Sequence, residues 1–556
     1  MKGKKIRSLA SAIFIVSFVF VTACSNAGSN ATAEEEIGDR TSHEGNTNTQ
    51  DGTVIKYDPP IELTTVRQMS SSAKYGEGED NDKNVWTDMF EEELGIKLKY
   101  LWVTEDLQAT YNTKLNVTIT SGDLPDYFRV NATQLQQLYE NDQIADLTEL
   151  YEKYASKELK EIFGNAGDAL AQSSVGDALI ALPELNYAMD RSNMLWIRTD
   201  WLEALNLSEP TSLEDVFAVA SAFSKQDPDG NGADDTFGLG LMKDIFIDIG
   251  NVNGIINGHH GYQGIWVEDG SGKLVYGSIQ PEVKQALGRI SELYQAGAID
   301  KEFSVTDRKK LIENVTAGKI GMLYGPMHAP ITTFQGLYNL NPKSDWKPFP
   351  LPSIDGQPAK AQLPLDAMGF YVVSKHAKHP EALILLMNKF VEKFQNQKPG
   401  EPYFKESASH LVTNINVLPP SKNLENYRAQ MKADATGDTS GFNFEQLDTR
   451  DKLKQFVEGG NAAFWFVPKV FGAGGSFSVV DYYDKSDLFQ RNKFNGAPTE
   501  TMKERWASLQ QLEVETFTKI VMGAAEANEF EKFVESWHKL GGEQITQEVN
   551  AWYAKK

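Results

Sequence analysis

The chain has one cysteine, Cys24, among 556 residues. That count excludes an internal disulfide framework and any zinc or iron–sulfur site built from several thiolates. Positive charge is also scarce: 54 Lys and Arg stand against 77 Asp and Glu, for a formal net charge of −23. Nucleic-acid affinity comes largely from cations on phosphates, so a nucleic-acid partner is not expected. The eight histidines include no H-E-x-x-H pair, and the adjacent His259 and His260, flanked by Gly258 and Gly261, read as a loop. No G-x-S-x-G elbow and no Walker A loop occurs. The glycine run at 472–475 lacks the third glycine of a dinucleotide fingerprint and its strand–helix context. Beyond the first 21 residues no segment reads as a membrane span of about 20 apolar residues, and no repeat of fixed period is found. What is present is a 41% hydrophobic, 11% aromatic chain, ample for packed cores and long enough for more than one lobe.

Lys2, Lys4, Lys5 and Arg7 form a basic leader, followed by an apolar run at 9–21 that is too short to span a bilayer but suits a signal peptide. It closes on Val21-Thr22-Ala23-Cys24, which resembles a bacterial lipobox. The resemblance implies a diacylglycerol (palmitate-type) anchor on the Cys24 thiol, with cleavage making Cys24 the first residue. The protein would then be anchored to the outer face of a cell membrane, of Gram-positive type, without crossing it. Losing residues 1–23 removes four positive charges and leaves −27, a body repelled by anionic headgroups. Residues 24–55, rich in Ser, Asn, Thr, Gly and Glu, read as a flexible tether reaching on the order of 30 Å.

From Tyr57 onward β-rich runs alternate with helical periodicity. Strands are expected at 63–67, 97–103 and 127–130, and helices at 84–94, toward 119, and at 132–140, 282–296, 380–395 and 528–539. Ser121-Gly122-Asp123-Leu124-Pro125-Asp126 is a turn cluster. Strands separated by such helices imply an α/β fold with mainly parallel sheets.

Asp227-Pro228-Asp229-Gly230-Asn231-Gly232-Ala233-Asp234-Asp235 places oxygen side chains at positions 1, 3, 5 and 9, with glycine at 6. These are the first nine positions of an EF-hand-type calcium loop. Asp227, Asp229, Asn231 and Asp235 would converge on one hard cation, with the carbonyl of Ala233 as a fifth donor. The twelfth position is Gly238, so the usual bidentate glutamate is missing. A metal-free acidic turn is the plainer reading of the same residues. A bound calcium would be structural.

Leu195-Trp196-Ile197-Arg198-Thr199-Asp200-Trp201-Leu202, then Thr211-Ser212-Leu213-Glu214-Asp215, then this loop, resemble family 1 extracellular solute-binding proteins of ABC transporters. The turn at 121–126, Asp146-Leu147-Thr148, Leu293-Tyr294-Gln295-Ala296-Gly297, Ala317-Gly318-Lys319-Ile320-Gly321-Met322 and the stretch 541–550 agree in the same order. The resemblance extends to the large Gram-positive lipoproteins and to alginate-binding proteins. It implies a two-lobed, periplasmic-binding-protein-like (type II) clamp with several interlobe crossings. The segments would be 56–192 in the first lobe, 193–367 in the second, 368–424 back in the first and 425–556 in the second. Crossings fall near 193–198 and 368–373.

The cleft of such a clamp should hold a carbohydrate, an oligosaccharide rather than a monosaccharide. Trp196, Trp201, Trp537 and Trp552 read as packing residues. Ligand contacts are sought instead in loops after strands, where α/β sheets present their ligands. Lys74 and Tyr75 follow the first strand, and Asn131 follows the strand at 127–130. His328 closes Gly325-Pro326-Met327-His328, a turn similar to the Gly-Pro-Trp turn of sugar-binding relatives, here with Met327 in place of the ring. Trp465 precedes the glycine-rich loop, and Asp366 precedes a crossing strand. The partners implied are an oligosaccharide and the permease subunits, with the chain itself a monomer and not an enzyme. Two other classes share the composition: a surface-anchored polysaccharide hydrolase or lyase, which needs only two carboxylates in a cleft, and a structural or adhesive lipoprotein.

Overall fold

The structure, a computed structural model, describes residues 46–50, 53–70, 73–105, 108–396, 401–403, 409–525 and 528–556. The signal peptide, Cys24 and most of the expected tether lie outside them. The rest of the tether departs from a random coil: Asn46–Gln50 and Thr53–Asp58 pair as an antiparallel hairpin. The sequence between them, Asp51-Gly52, is a dipeptide that favours tight hairpin loops.

The body carries two separate hydrophobic cores. One draws on residues from Tyr57 to Leu185 and again from Ala367 to Leu418. The other draws on Met194 to Ala361 and on Leu424 to Val549. The chain therefore passes between the cores three times, through 186–193, 362–366 and 419–423. Each core is anchored by fully buried aromatics, Trp86, Phe90 and Tyr127 in the first, Trp196, Trp201, Trp346 and Trp537 in the second. A large apolar side chain removed from water in this way stabilises by about 1.5–3 kcal/mol.

In the first core Ile61–Gln68 pairs in parallel with Ile96–Thr104. The intervening helix, Val85–Leu94, is started by Asn84, whose side chain accepts hydrogen bonds from the amides of Trp86 and Thr87. Tyr127–Val130 lies in a three-stranded sheet with Leu182–Leu185 and Ala367–Val373. In the second core the strand order is Phe237–Leu239, Ile320–Gly325, Met194–Arg198, Trp346–Phe349.

The mainly parallel sheets expected from strand–helix alternation are not what forms. Met194–Arg198 runs antiparallel to both its neighbours, and Ala367–Val373 to both of its own. These are the strands that begin just after the chain has crossed from the other core, so they enter their sheet from the cleft end. Local periodicity reports a strand but not the direction from which the chain arrives.

Ala462–Lys485 is long and apolar enough by composition to cross a membrane, against the sequence expectation that no such segment follows the leader. It contains two short helices, Phe466–Phe471 and Ser476–Lys485, whose Val467, Val470, Phe477 and Val480 are buried. Val470, Phe477 and Val480 belong to the second core.

Candidate functional site

Two adjoining cavities open where the crossing segments meet the sheets. The first, of about 280 Å³, sits at the carboxyl ends of Ile61–Gln68 and Tyr127–Val130 and is lined by Arg67, Gln108, Arg129, Glu184, Tyr371 and Asn416 among others. Arg67 is buried and donates through Nη1 to Asn81 Oδ1 (3.0 Å) and the Val412 carbonyl (2.5 Å), and through Nη2 to the Leu411 carbonyl (2.7 Å). Its Nε, the Tyr100 hydroxyl and Asn416 Oδ1 are buried with no hydrogen-bond partner among the described residues. Arg129 donates through Nε to Glu184 and through Nη1 to Gln108 Oε1 (3.1 Å). Burial pushes the Glu184 carboxyl up, while Arg129 beside it acts in the opposite direction. The pair lies against the backbone of Gly369, where a Cβ would come within 2.6 Å of Glu184 Oε2 and 3.0 Å of Arg129 Nε. Glycine is what lets the ion pair sit there. Tyr127 donates to Asn414 Oδ1 (2.9 Å), and Asn414 in turn donates to Thr65 (3.1 Å), tying the segment after 409 to the first strand.

The second cavity, of about 670 Å³, lies between the two cores. Ala132, Gln136, Gln172 and Ile180 line it from the first core's segments, and Asn495, Gly496, Trp552 and Lys556 from the second's. Met368 lines both cavities, which places them side by side. That size falls within the usual range for small-ligand pockets. Trp552 is its aromatic wall: it is half-buried, with Phe494 edge-on at 5.0 Å and the Lys556 ammonium 5.3 Å from the ring centroid.

Polar contacts bind the crossing segments around these cavities. Asn423 Nδ2 donates to Asp190 Oδ2 (2.6 Å), while Asp190 Oδ1 is buried without a partner among the described residues. Burial pushes the Asp190 carboxyl up to about 6, against the Asn423 hydrogen bond and the nearby cations. Arg491 Nη1 donates to Asp366 Oδ1 (2.6 Å), and the amide of Asp168 donates to Asp366 Oδ2 (3.3 Å). Lys503 bridges from the second core to Glu140 on the first (2.9 Å).

The residues singled out from sequence fare differently. Asp366 lies at a crossing between the cavities' walls, held by Arg491 and the amide of Asp168. His328 donates through Nε2 to Asp248 Oδ1 (3.0 Å), whose other oxygen accepts from Arg308 (2.6 Å). Burial raises the Asp248 carboxyl, but these two donors outweigh it and hold it at about 2. Tyr75 donates to Asn81 Oδ1 (2.6 Å), the acceptor it shares with Arg67, so it supports the recess from behind; Lys74 is exposed. Asn131 is a helix cap: its side chain accepts from the Gln134 amide and Gln134 reaches back to the Asn131 amide, which occupies its oxygen. Trp465 is 3% exposed and stacked on Tyr338 at 4.9 Å, in the second core. The glycine-rich run beside it joins two core helices, with Ala473 and Gly474 exposed. Trp552, read as packing, lines the cavity instead, and Trp537 is fully buried as expected.

The loop at 227–235 is a tight turn with Asp227, Gly230 and Gly232 at φ of 47°, 68° and 76°. Asn231 Nδ2 donates to Asp229 Oδ2 (2.9 Å) and Asp235 Oδ1 (3.2 Å), and Asp227 accepts the amides of Asn231 and Gly232 (3.0 Å each). Burial and the neighbouring Asp227 carboxylate raise the Asp229 carboxyl. Side-chain oxygens thus crowd into one turn, although no group of three or more acidic, His or Cys side chains converges as a metal site among the described residues.

Two cores, three crossings and a cavity spanning them define a two-lobed solute-binding fold. Residues 75–396, more than half the chain, match the bacterial extracellular solute-binding protein family, and the protein belongs to it. Lipoprotein LipO of Bacillus subtilis is 23% identical over 496 residues, spanning 85% of this chain and 89% of its own. Among solved structures, an HMO-binding, ABC-transporter-associated solute-binding protein from Bifidobacterium longum infantis superposes with a TM-score of 0.63 at 15% identity, over 89% of this chain and 98% of its own. An EF-hand mutant of the Streptococcus pneumoniae ABC-transporter substrate-binding protein FusA, in complex with fructo-nystose, gives 0.58 at 15% identity, over 89% and 99%. These superpositions show the shared fold.

Proposed function

We propose that this chain is the substrate-binding component of an ABC importer, capturing an oligosaccharide between its two lobes and handing it intact to the permease subunits. The observation that carries this reading is the 670 Å³ cavity between the cores, walled by Trp552 and beside a recess rich in hydrogen-bonding groups. Pyranose rings present an apolar face and a rim of hydroxyls, and an aromatic wall beside amides, tyrosines and guanidinium groups matches both. FusA, with its bound fructo-nystose, supports a saccharide as the ligand. Ligand contacts made on both lobes at once would favour the closed form by their differential affinity.

The lobes would be the segments 56–192 with 368–424, and 193–367 with 425–556. The anchor would be lipid on Cys24, at the outer face of a Gram-positive cell membrane, with the body a monomer. LipO, itself a lipoprotein, supports the anchor. Calcium would sit in the loop at 227–235. Its all-oxygen donors, Asp227, Asp229, Asn231, Asp235 and the Ala233 carbonyl, suit a hard cation, and a bound ion would relieve the crowding of Asp227 against Asp229. We read the protein as a binder without catalysis. Glycoside hydrolysis uses a pair of carboxylates, whereas Glu184 is the sole carboxylate among the described residues lining the two cavities, and it is paired with Arg129.

A thermal-shift screen of oligosaccharides and peptides, with calcium present, tests the reading. A ligand specific for the folded state stabilises by about 2.7 kcal/mol at a hundredfold excess over Kd. A shift from one glycan class, recovered at its original length, is the expected result. Shortened products would replace the binder with a hydrolase or lyase. Shifts from peptides alone would overturn the carbohydrate assignment.

A further inference from the structure

The charge lining the cleft is opposite to that of the chain. Across the two adjoining cavities the charged residues are Arg67, Arg129, Lys555, Lys556 and Glu184, four cations to one carboxylate, in a protein with 77 acidic and 54 basic residues. Arg129 is paired with Glu184, and Lys556 lies 3.8 Å from Asp168. Lys555 is exposed, with no ion pair among the described residues. Arg67 differs from the other three. It is 2% exposed, and among the described residues its three hydrogen bonds go to neutral oxygens while its Nε has none. No carboxylate among the described residues pairs with this buried guanidinium, which lies 6.0 Å from the Tyr100 ring centroid, and an anionic group entering the recess would meet it favourably. Asn416 Oδ1, which lines the same recess and is buried with no partner among the described residues, leaves further hydrogen-bonding capacity for such a group and for the hydroxyls beside it.

Resting on the saccharide-binding reading above, we infer that the ligand is an acidic saccharide, one whose sugar carboxylate enters the recess lined by Arg67 and Arg129 while a neighbouring ring lies along Trp552. Guanidinium forks recognise carboxylates with both charge and geometry. The surrounding excess of negative charge makes the discrimination useful, since anions meet attraction only inside the cleft.

Calorimetric titration of the full chain with oligogalacturonate and oligoalginate, each beside its carboxyl-reduced neutral counterpart, tests this. The expected result is about tenfold or tighter binding of a uronate form, weakening as salt rises. Arg129→Gln should cost most of that preference, read as a fall in the ratio of uronate to neutral affinity. Lys556→Gln, at an exposed position where folding is not at stake, should reduce it more modestly. Neutral counterparts bound as tightly as the uronates, or a preference indifferent to salt and to both substitutions, would overturn the acidic class and leave the saccharide reading standing. Binding of neither form, with other solutes bound, would remove both.

Discussion

Asn423 donates to Asp190 at 2.6 Å, and the two residues lie on different segments that pass between the cores. The contact therefore ties the first crossing to the third, and it does so through a carboxylate whose second oxygen is buried without a partner among the described residues. Burial that raises this carboxyl to about 6 makes its charge a cost in the folded state.

That cost gives the protein a pH signature. Folding takes up a proton at Asp190 between the ordinary carboxyl range near 4 and about 6, so its contribution to stability falls as pH rises through that window and is flat above it. Asp190→Asn keeps an acceptor for Asn423 and removes the titration. At pH 7 the variant should be more stable than the parent, by up to about 3 kcal/mol, the free-energy equivalent of raising a carboxyl from near 4 to about 6. The gap should close toward pH 4. Parallel melting curves for both proteins across that range would contradict it.

The two tryptophans separate packing from binding. Trp465→Ala should cost about 3–5 kcal/mol of stability, with the affinity of the folded protein unchanged, because its ring is stacked on Tyr338. Trp552→Ala should weaken saccharide binding by about tenfold, in line with the energy of an aromatic contact, at a smaller cost in melting temperature. Calorimetry and thermal melts on both variants check the pair, and the reverse assignment of effects would move the ligand to another wall.

Gly369→Ala should disturb the recess without touching a ligand. The added Cβ meets Glu184 and the Arg129 guanidinium at 2.6–3.0 Å, so the ion pair must shift. Affinity is expected to fall while circular dichroism stays native. Unchanged affinity would place the ligand elsewhere than on Arg129.

Calcium should raise the melting temperature of the full chain, and a chelator should reverse the effect. Asp229→Asn should abolish the response by removing one carboxylate from the turn. A melting temperature indifferent to calcium would leave 227–235 as a metal-free acidic turn.

Much of the fold was legible in the residues, because strands such as Ile61–Gln68 and helices such as Pro281–Gln295 announce themselves by local periodicity. The site was less so. Asn131 was placed rightly after a strand, yet Asn131-Ala132-Thr133-Gln134 carries the spacing of a capping box, and that signal explains its oxygen better than a ligand does. Trp552 follows Ile545 and Val549 at helical spacing, so it read as core, but only the first two are fully buried and the last turn reaches the cavity. Arg67 reads in the sequence only as the last residue of the expected strand at 63–67. Its acceptors at Leu411 and Val412 lie 344 and 345 residues away, beyond any local pattern.

The clamp itself is tested most directly by a distance between spin labels on the two lobes, at exposed Asp123 and Glu504, in a full chain with its one native cysteine replaced. Capture between the lobes predicts that a saturating oligosaccharide shifts the distribution toward one shorter, narrower distance, and that dialysis restores the original. A distribution unchanged by a saccharide that calorimetry shows to be bound would contradict it.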